Sequence, residues 1–195
     1  MYRELRQVKR KEHSKAEVKI KWGGEMGLKR SYPRTWPKIE PDLAEKMIEN
    51  CHQMTCEVGC GPGRIAKLFN PAEYIGIDIN NISIQKAKKL LPGHTFKTIK
   101  WEDPYPLADT YLFLTVLFHI PDNEIHSIIE KLNHKVIIIE TMARWIRDYD
   151  RDFNFRRDPE EYRNIFKEHG FKEQKLIQFS STVYPYYINM QVLNK

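Results

Sequence analysis

The apolar positions of the chain change period from residue 41 onwards. Helical spacing of Leu43, Ala44, Met47 and Ile48 predicts a short amphipathic helix over residues 41–50. After it, β-branched and aromatic runs predict strands at 55–58, 74–79, 95–99, 110–115 and 136–141. The stretches between the strands have helical spacing and predict helices at 64–69, 82–91, 122–132 and 159–169. Two last β-rich runs, at 175–180 and 186–192, predict a terminal hairpin.

This alternation of strand and helix predicts the α/β class, with a mainly parallel sheet of seven strands covered by helices on both faces. A chain of 195 residues fits one domain. No apolar run approaches the roughly 20 residues that a membrane helix needs, so we expect no membrane partner. The charged start has no apolar segment behind it, which predicts no secretory signal and a cytoplasmic location.

The net charge of +6 is spread unevenly. Residues 1–38 hold twelve Lys or Arg against four Glu, a net +8 that leaves −2 for the rest of the chain. We therefore divide the chain into a basic extension, residues 1–38, and a folded domain, residues 39–195. Such an extension favours an anionic partner, for example nucleic acid, a phosphorylated metabolite or an acidic protein surface. A solvated tail explains the same charge equally well.

Three cysteines, Cys51, Cys56 and Cys60, fall within ten residues. Their number is odd, and no cluster further along the chain completes a metal-binding set. Cys56 is expected inside a strand and Cys60 in a tight turn, where a thiol behaves as a small apolar group. We expect free thiols and no metal site.

A glycine-rich turn follows the first predicted strand. Residues 55–64 read TCEVGCGPGR, and the turn is predicted to open a helix. Glycine lets the backbone approach a ligand closely, as phosphate-binding turns do. A dinucleotide-binding turn needs its third glycine at position 64, where this chain has Arg64. A nicotinamide or flavin dinucleotide is therefore disfavoured.

The turn resembles motif I of the class I S-adenosylmethionine-dependent methyltransferases. The motif is an acidic residue followed by three alternating glycines, and Glu57, Gly59, Gly61 and Gly63 meet it, with Cys60 inside the turn. The resemblance covers roughly residues 40–195. It implies a Rossmann-like fold, S-adenosyl-L-methionine as cofactor, S-adenosyl-L-homocysteine as product, and methyltransferase activity.

The family also places an acidic residue at the end of the second strand, to hold the ribose hydroxyls. Here that strand ends in Asp78, followed by Ile79. An ionised carboxylate accepts hydrogen bonds only, so it suits two hydroxyl donors. The alternative is that Asp78 caps the next helix, since Asn80 and Asn81 follow it.

Two further segments match positions that line the cofactor in this family. After the third strand, Glu102 or Asp103 would accept a hydrogen bond from the adenine amino group; the alternative is a solvated acidic loop. After the fourth strand, Thr115 and Phe118 would face the methyl donor, with the Phe118 ring near the sulfonium cation.

His119 would stand at the rim of the acceptor site. An imidazole with an ordinary pKa near 6.5 is largely neutral at pH 7, which makes His119 the candidate general base. The alternative is a histidine at a helix entry with a local hydrogen bond. By position alone, the acceptor pocket would also include Glu140, Arg144, Trp145, Tyr184 and Tyr187.

Some acceptors are disfavoured. Enzymes that methylate exocyclic amino groups of bases commonly carry Asp or Asn, Pro, Pro and an aromatic residue after the fourth strand, where this chain reads Thr-Val-Leu-Phe. Enzymes acting on carbon 5 of cytosine use a cysteine there, and all three cysteines precede residue 61. Three hypotheses stay open: a small-molecule O- or N-methyltransferase, a nucleic-acid methyltransferase that uses the basic extension, and a noncatalytic module that binds the cofactor.

Overall fold

A computed structural model describes residues 41–142, 155, 157–180 and 187–195. The basic extension lies outside these residues, as do Arg144, Trp145 and Tyr184. The described residues form four α-helices: α1 (Pro41–Asn50), α2 (Asn81–Leu90), α3 (Asp122–Ile129) and α4 (Pro159–Glu168). Seven strands are β1 (Thr55–Val58), β2 (Tyr74–Asp78), β3 (Thr95–Thr98), β4 (Thr110–Leu114), β5 (Lys135–Met142), β6 (Lys172–Ser180) and β7 (Tyr187–Asn194).

The strands form one mixed sheet in the order β3-β2-β1-β4-β5-β7-β6. Strands β1 to β5 pair in parallel, as the alternating pattern predicts. Strand β7 lies between β5 and β6 and is antiparallel to both. The predicted hairpin is therefore confirmed. Parallel pairing is limited to strands β1 to β5; β6 runs in the same direction as these strands but pairs only with β7. Neighbours joined by a hairpin must run in opposite directions, which is why β7 reverses.

Helices cover both faces of the sheet, so the central strands are buried throughout. Every residue of β1 and of β4 is buried. One face packs against α3 and α4, through residues such as Ile125 and Phe166, and the other packs against α1, through Leu43 and Met47. Strand β3 is an edge, where only Phe96 is buried. Continuous apolar strands are the expected result of this two-sided cover.

The helix predicted at 64–69 is wrong. The structure has a short 3-10 helix, Ala66–Leu68, followed by a second one, Pro71–Glu73. Pro71 lacks a backbone N–H and disfavours helical geometry in the preceding residue, and Asn70 is accordingly extended, with φ −63° and ψ 127°. The stretch between Gly63 and this proline is too short for a stable α-helix.

The described ranges also concern the expected absence of a membrane helix and of a metal site. No helix within them has the length and apolar character to cross a bilayer. They also contain no group of three or more His, Cys, Asp or Glu side chains arranged to hold a metal ion.

Candidate functional site

The predicted site residues lie at the carboxyl ends of the parallel strands. Successive strands are added outwards from β1 in one direction up to β3, and from β4 in the other direction. In open α/β sheets, ligands bind at the carboxyl ends of the strands where the order reverses, here between β1 and β4. The glycine turn follows β1, Asp78 ends β2, Thr115 follows β4 and Glu140 lies near the end of β5. The fold thus brings these residues to the same end of the sheet, where the parallel strands terminate.

The turn after β1 has a backbone that favours glycine. Gly59, Gly61 and Gly63 have positive φ angles of 75°, 54° and 77°. The N–H groups of Gly59 and Cys60 both donate to the Ile77 carbonyl, at 2.8 and 3.0 Å. These bonds fasten the turn to β2, so the backbone of the turn is held at the crevice.

The turn also approaches its neighbours too closely for larger residues. A Cβ atom on Gly59 would lie 2.6 Å from a methyl carbon of Val116, and one on Gly63 would lie 3.0 Å from the ring of Phe96. Valine is stiff at χ1 and cannot swing away easily. Glycine at position 59 is therefore required both by its φ angle and by the contact with the segment after β4.

Glu57 is buried in β1 and accepts a short hydrogen bond from the Tyr74 hydroxyl. Burial raises the pKa of Glu57 to about 7, while the bond from Tyr74 and the charge of Arg64 act in the opposite direction. The carboxyl group therefore ties β1 to β2 beneath the glycine turn. A direct contact with the cofactor, which the motif implies, stays a prediction.

Asp78 joins the end of β2 to the glycine turn. One carboxylate oxygen accepts from the Gly61 N–H at 2.8 Å, and the other from the Asn80 N–H at 2.8 Å. Burial raises the pKa of Asp78, and the bonds from the backbone N–H groups of Asn80, Gly61 and Ile79 lower it. The helix-capping alternative is wrong for Asp78, because Asn80 caps α2 through the N–H groups of its first turn.

The acidic pair after β3 is exposed. The Asp103 carboxylate accepts from the Lys100 N–H at 3.0 Å, and the Asp103 N–H donates to the Lys100 carbonyl. Asp103 thus closes a local turn. Trp101 is half-buried and packs against the core of the sheet next to it. A contact of Glu102 or Asp103 with adenine stays a prediction.

We define the post-β4 turn as residues 115–121. Thr115 begins it with φ +57°, an uncommon conformation for a β-branched residue, and its N–H donates to the Ile139 carbonyl at 2.8 Å. A 3-10 helix, Leu117–His119, follows. The rings of Phe118 and His119 are half-buried and lie 3.8 Å apart, centroid to centroid. The backbone strain at Thr115 persists only where the surrounding structure fixes it.

Glu140 lies beneath the post-β4 turn. Its Oε1 accepts from the N–H groups of Val116, at 3.1 Å, and Leu117, at 2.8 Å. The side chain is buried, and burial raises its pKa to about 8, against the effect of the backbone N–H groups and of Arg157. Sequence position predicts Glu140 as a pocket-lining residue, and the structure gives it a supporting contact with the turn.

Arg157 is a residue that the sequence analysis missed. Its buried guanidinium donates to the carbonyls of Leu117, at 3.0 Å, and Ile120, at 2.8 Å. It also pairs with Asp122 at 2.6 Å. Arginine is almost never fully buried without partners, and nothing in the local sequence indicates these. The helix signal that follows, Asp158 before Pro159, is the only local clue that a fixed backbone begins here.

The cysteines are free thiols, as predicted: Cys56 and Cys60 are buried and Cys51 is half-buried. Burial raises the pKa of Cys51 and of Cys56 to about 12, which keeps both protonated at neutral pH. Of the predicted pocket residues, Tyr187 begins β7, and Arg144, Trp145 and Tyr184 lie outside the described residues.

This strand order, with a glycine turn after β1 and a carboxylate at the end of β2, is the fold of the class I S-adenosylmethionine-dependent methyltransferases. A structure of magnesium protoporphyrin IX methyltransferase (ChlM) from Synechocystis PCC 6803 with bound SAM has 17% identity and a TM-score of 0.66, over 95% of this chain and 98% of that one. The LepI complex with SAM has 17% identity and a TM-score of 0.61, over 84% of this chain and 49% of LepI. The methyltransferase domain of a bacterial Hen1 has 14% identity and a TM-score of 0.59, over 79% of this chain and 95% of that one.

Neither a family model nor a curated protein matches the sequence. At such low identities the solved structures establish the fold alone. What the site does is therefore a matter of its own geometry.

Proposed function

We propose that the protein is an S-adenosylmethionine-dependent methyltransferase that acts on an oxygen or nitrogen atom of a small molecule. The observation that carries the proposal is the 2.8 Å hydrogen bond from the Gly61 N–H to the Asp78 carboxylate, at the carboxyl ends of β1 and β2. It puts a carboxylate against a glycine turn that has no room for a Cβ at its first position. A backbone cradle beside an acceptor-only group suits a ligand with an amino-acid end and ribose hydroxyls.

When bound, the cofactor would supply an electrophilic methyl group, so the protein needs only to bind, align and accept a proton. Gly59, Gly61 and Gly63 would bring backbone against the amino-acid end, and Asp78 would accept from the ribose hydroxyls. Phe118 would pack its ring near the sulfonium. His119 would take the proton that an acceptor hydroxyl or ammonium loses. The His119 ring lies 3.8 Å from the Phe118 ring, centroid to centroid, within the post-β4 turn.

Calorimetry with S-adenosylmethionine tests the cofactor. The wild-type protein is expected to bind, and Asp78→Asn to bind roughly 10- to 100-fold more weakly, since bonds to a charged acceptor contribute about 1.5–3 kcal/mol. Asp109→Asn is a matched control, because this exposed carboxylate bonds only to the Met54 N–H in the described structure. No binding by the wild type, or equal binding by both variants, would overturn the assignment.

A small acceptor is supported by the post-β4 sequence, which lacks the prolines of the base-amino motif. The similarity to ChlM, a magnesium protoporphyrin IX methyltransferase, is in keeping with a small acceptor. The test is transfer from tritium-labelled S-adenosylmethionine to a whole cell extract, which is passed through a size filter after the reaction and separated from unreacted cofactor. Label in the filtrate supports the proposal, and label confined to macromolecules contradicts it.

A second candidate, a nucleic-acid methyltransferase, is favoured by the +8 charge of residues 1–38. Neutralising phosphates releases counterions, so binding to RNA or DNA should weaken steeply with salt. Deleting residues 1–38 should abolish that binding, and nuclease treatment of the extract should remove the label. Binding that is insensitive to salt and to the deletion would eliminate this candidate.

The third hypothesis is a module that holds the cofactor without transferring methyl. A similar structure, that of the [4+2]-cyclase SpnF, has 15% identity and a TM-score of 0.60 over 79% of this chain and 80% of SpnF, and its name describes a reaction other than methyl transfer. One fold can host several chemistries. Methyl transfer by the isolated protein would eliminate this hypothesis.

A further inference from the structure

The backbone of the post-β4 turn is hydrogen-bonded by a buried carboxylate, which accepts from its N–H groups, and by a buried guanidinium, which donates to its carbonyl groups. We propose that Glu140 and Arg157 are positioning residues for methyl transfer, which fix this turn so that Phe118 and His119 face the methyl donor. The inference rests on the proposed function. Glu140 is predicted in the acceptor pocket by sequence position alone, whereas in the structure both side chains bond to the turn and would act through it.

Glu140 fixes the start of the turn. Two successive amides, those of Val116 and Leu117, donate to the same oxygen, Oε1. One acceptor shared by two adjacent N–H groups sets the orientation of both peptide units. The amides at the start of a helical segment have no partner within it, so an external acceptor is needed. The bond partner comes from β5, and the start of the turn is thereby tied to the rigid centre of the sheet.

Arg157 fixes the rest of the turn through its carbonyl groups. Its side chain is only 1% exposed. Nη1 donates to the Leu117 carbonyl and Nη2 to the Ile120 carbonyl, while Nε and Nη2 both donate to Asp122, just beyond the turn. A planar guanidinium with several donors can hold these acceptors at once, and a lysine cannot. Glu140 therefore takes the N–H groups of the turn and Arg157 its carbonyl groups.

The strained residue lies at the junction. Thr115, with φ +57°, connects β4 to the post-β4 turn, and its neighbour Val116 contacts Gly59 of the glycine turn. Without the bonds from Glu140 the strain at Thr115 favours relaxation of this segment. A relaxed turn shifts Phe118 and His119 together, because both lie in the 3-10 helix Leu117–His119.

A purely structural ion pair offers a contrast within the same protein. Arg163 on α4 pairs with Glu173 at 2.8 Å, and the Arg163 side chain is 41% exposed. It contributes to packing between α4 and β6 and touches no residue of the post-β4 turn in any described bond. Arg163→Met is therefore a control that removes a partly exposed ion pair away from the site.

The experiment compares Glu140→Leu, Glu140→Gln and Arg163→Met in the full chain. Glutamine keeps an oxygen acceptor and leucine does not. Three readouts are used: hydrogen exchange of the Val116 and Leu117 amides by NMR, the affinities for S-adenosylmethionine and S-adenosylhomocysteine by calorimetry, and the rate of tritium transfer to size-filtered extract at saturating cofactor.

In Glu140→Leu we expect both amides to exchange at least tenfold faster and transfer to fall roughly 100-fold, the effect of a displacement of about 1 Å at a reacting centre. We also expect its relative affinity for the two cofactor forms, which differ only at the methyl-bearing sulfur, to change. Glu140→Gln should keep wild-type exchange and most of the transfer rate. Arg163→Met should lower the unfolding temperature and leave all three readouts unchanged.

Transfer by Glu140→Leu at the wild-type rate would overturn the inference, as would a loss of transfer in Glu140→Gln as large as in Glu140→Leu. If the leucine variant fails to fold, Arg157→Lys tests the bonds to the carbonyl groups of the turn. Slower transfer with fast exchange of the turn amides supports the inference, and wild-type values overturn it. Failure of the proposed function is distinguishable, because the wild type itself would then bind no S-adenosylmethionine.

Discussion

Replacing Glu57 by glutamine tests how the protein tolerates a carboxyl group inside its sheet. Glu57 is 4% exposed, and the Tyr74 hydroxyl donates to it. Burial raises the pKa of this carboxyl from 4.5 to about 7. In the unfolded chain the proton leaves near the ordinary value, so between these two pH values the folded state binds more protons than the unfolded state.

The sign follows from that difference. The protonated form contributes stability that is fully present below pH 4.5 and is lost as the pH rises through about 7. A shift of this size corresponds to a loss of about 3 kcal/mol, since each pH unit is worth about 1.4 kcal/mol. Glutamine resembles the protonated acid and cannot ionise. Glu57→Gln should therefore match the wild type in mild acid and exceed its stability by about 3 kcal/mol above neutrality.

Urea unfolding followed by circular dichroism at about pH 4.5 and about pH 8 measures the difference. Taking the variant minus the wild type at each pH removes the contribution of Glu140, whose pKa is also raised and which both proteins share. Glu73→Gln, at an exposed carboxyl beside β2, is the control and should show no such difference. A Glu57→Gln protein less stable than the wild type at the higher pH would refute the reasoning. It would mean that Tyr74 and Arg64 stabilise the ionised carboxylate by more than burial costs.

Three further outcomes are expected. Gly59→Ala should cost about 2–4 kcal/mol, from its positive φ and its clash with a valine methyl group, whereas Gly93→Ala, whose Cβ meets nothing within 4 Å, should cost little; thermal unfolding compares them. Asp158→Ala removes the capping box shared with Glu161 and should cost about 1 kcal/mol, with unchanged affinity for S-adenosylmethionine by calorimetry. His119→Gln should slow transfer to filtered extract by roughly 10²- to 10⁴-fold without weakening cofactor binding, and an unchanged rate would eliminate His119 as the base.

The elements that the sequence predicted well are those with a strong local signal. The end of strand β1 is predicted correctly because the glycine turn follows it directly. Asp78 could be singled out because it ends a buried strand, where the family that the chain resembles places an acidic residue. The helix predicted at 64–69 failed because apolar spacing over six residues carries little information against a following proline.

The support of the site could not be predicted in this way. Val116 and Leu117 bond to Glu140, more than twenty residues further along the chain, and Leu117 and Ile120 bond to Arg157, about forty residues away. No local pattern links these positions. Likewise, β-rich runs near the end predict a hairpin, and its insertion with β7 beside β5 depends on pairing across the whole sheet.

Local patterns of residues therefore predict the alternation of strands and helices, the glycine turn and the acidic residue at the end of the second strand. Contacts between distant segments set which strand lies beside β5, the bond between Asp78 and the glycine turn, and the bonds of a buried acid and a buried arginine to the turn after β4. The reason is physical: periodicity and backbone preference act over a few residues, whereas buried polar groups must find partners wherever the folded chain supplies them.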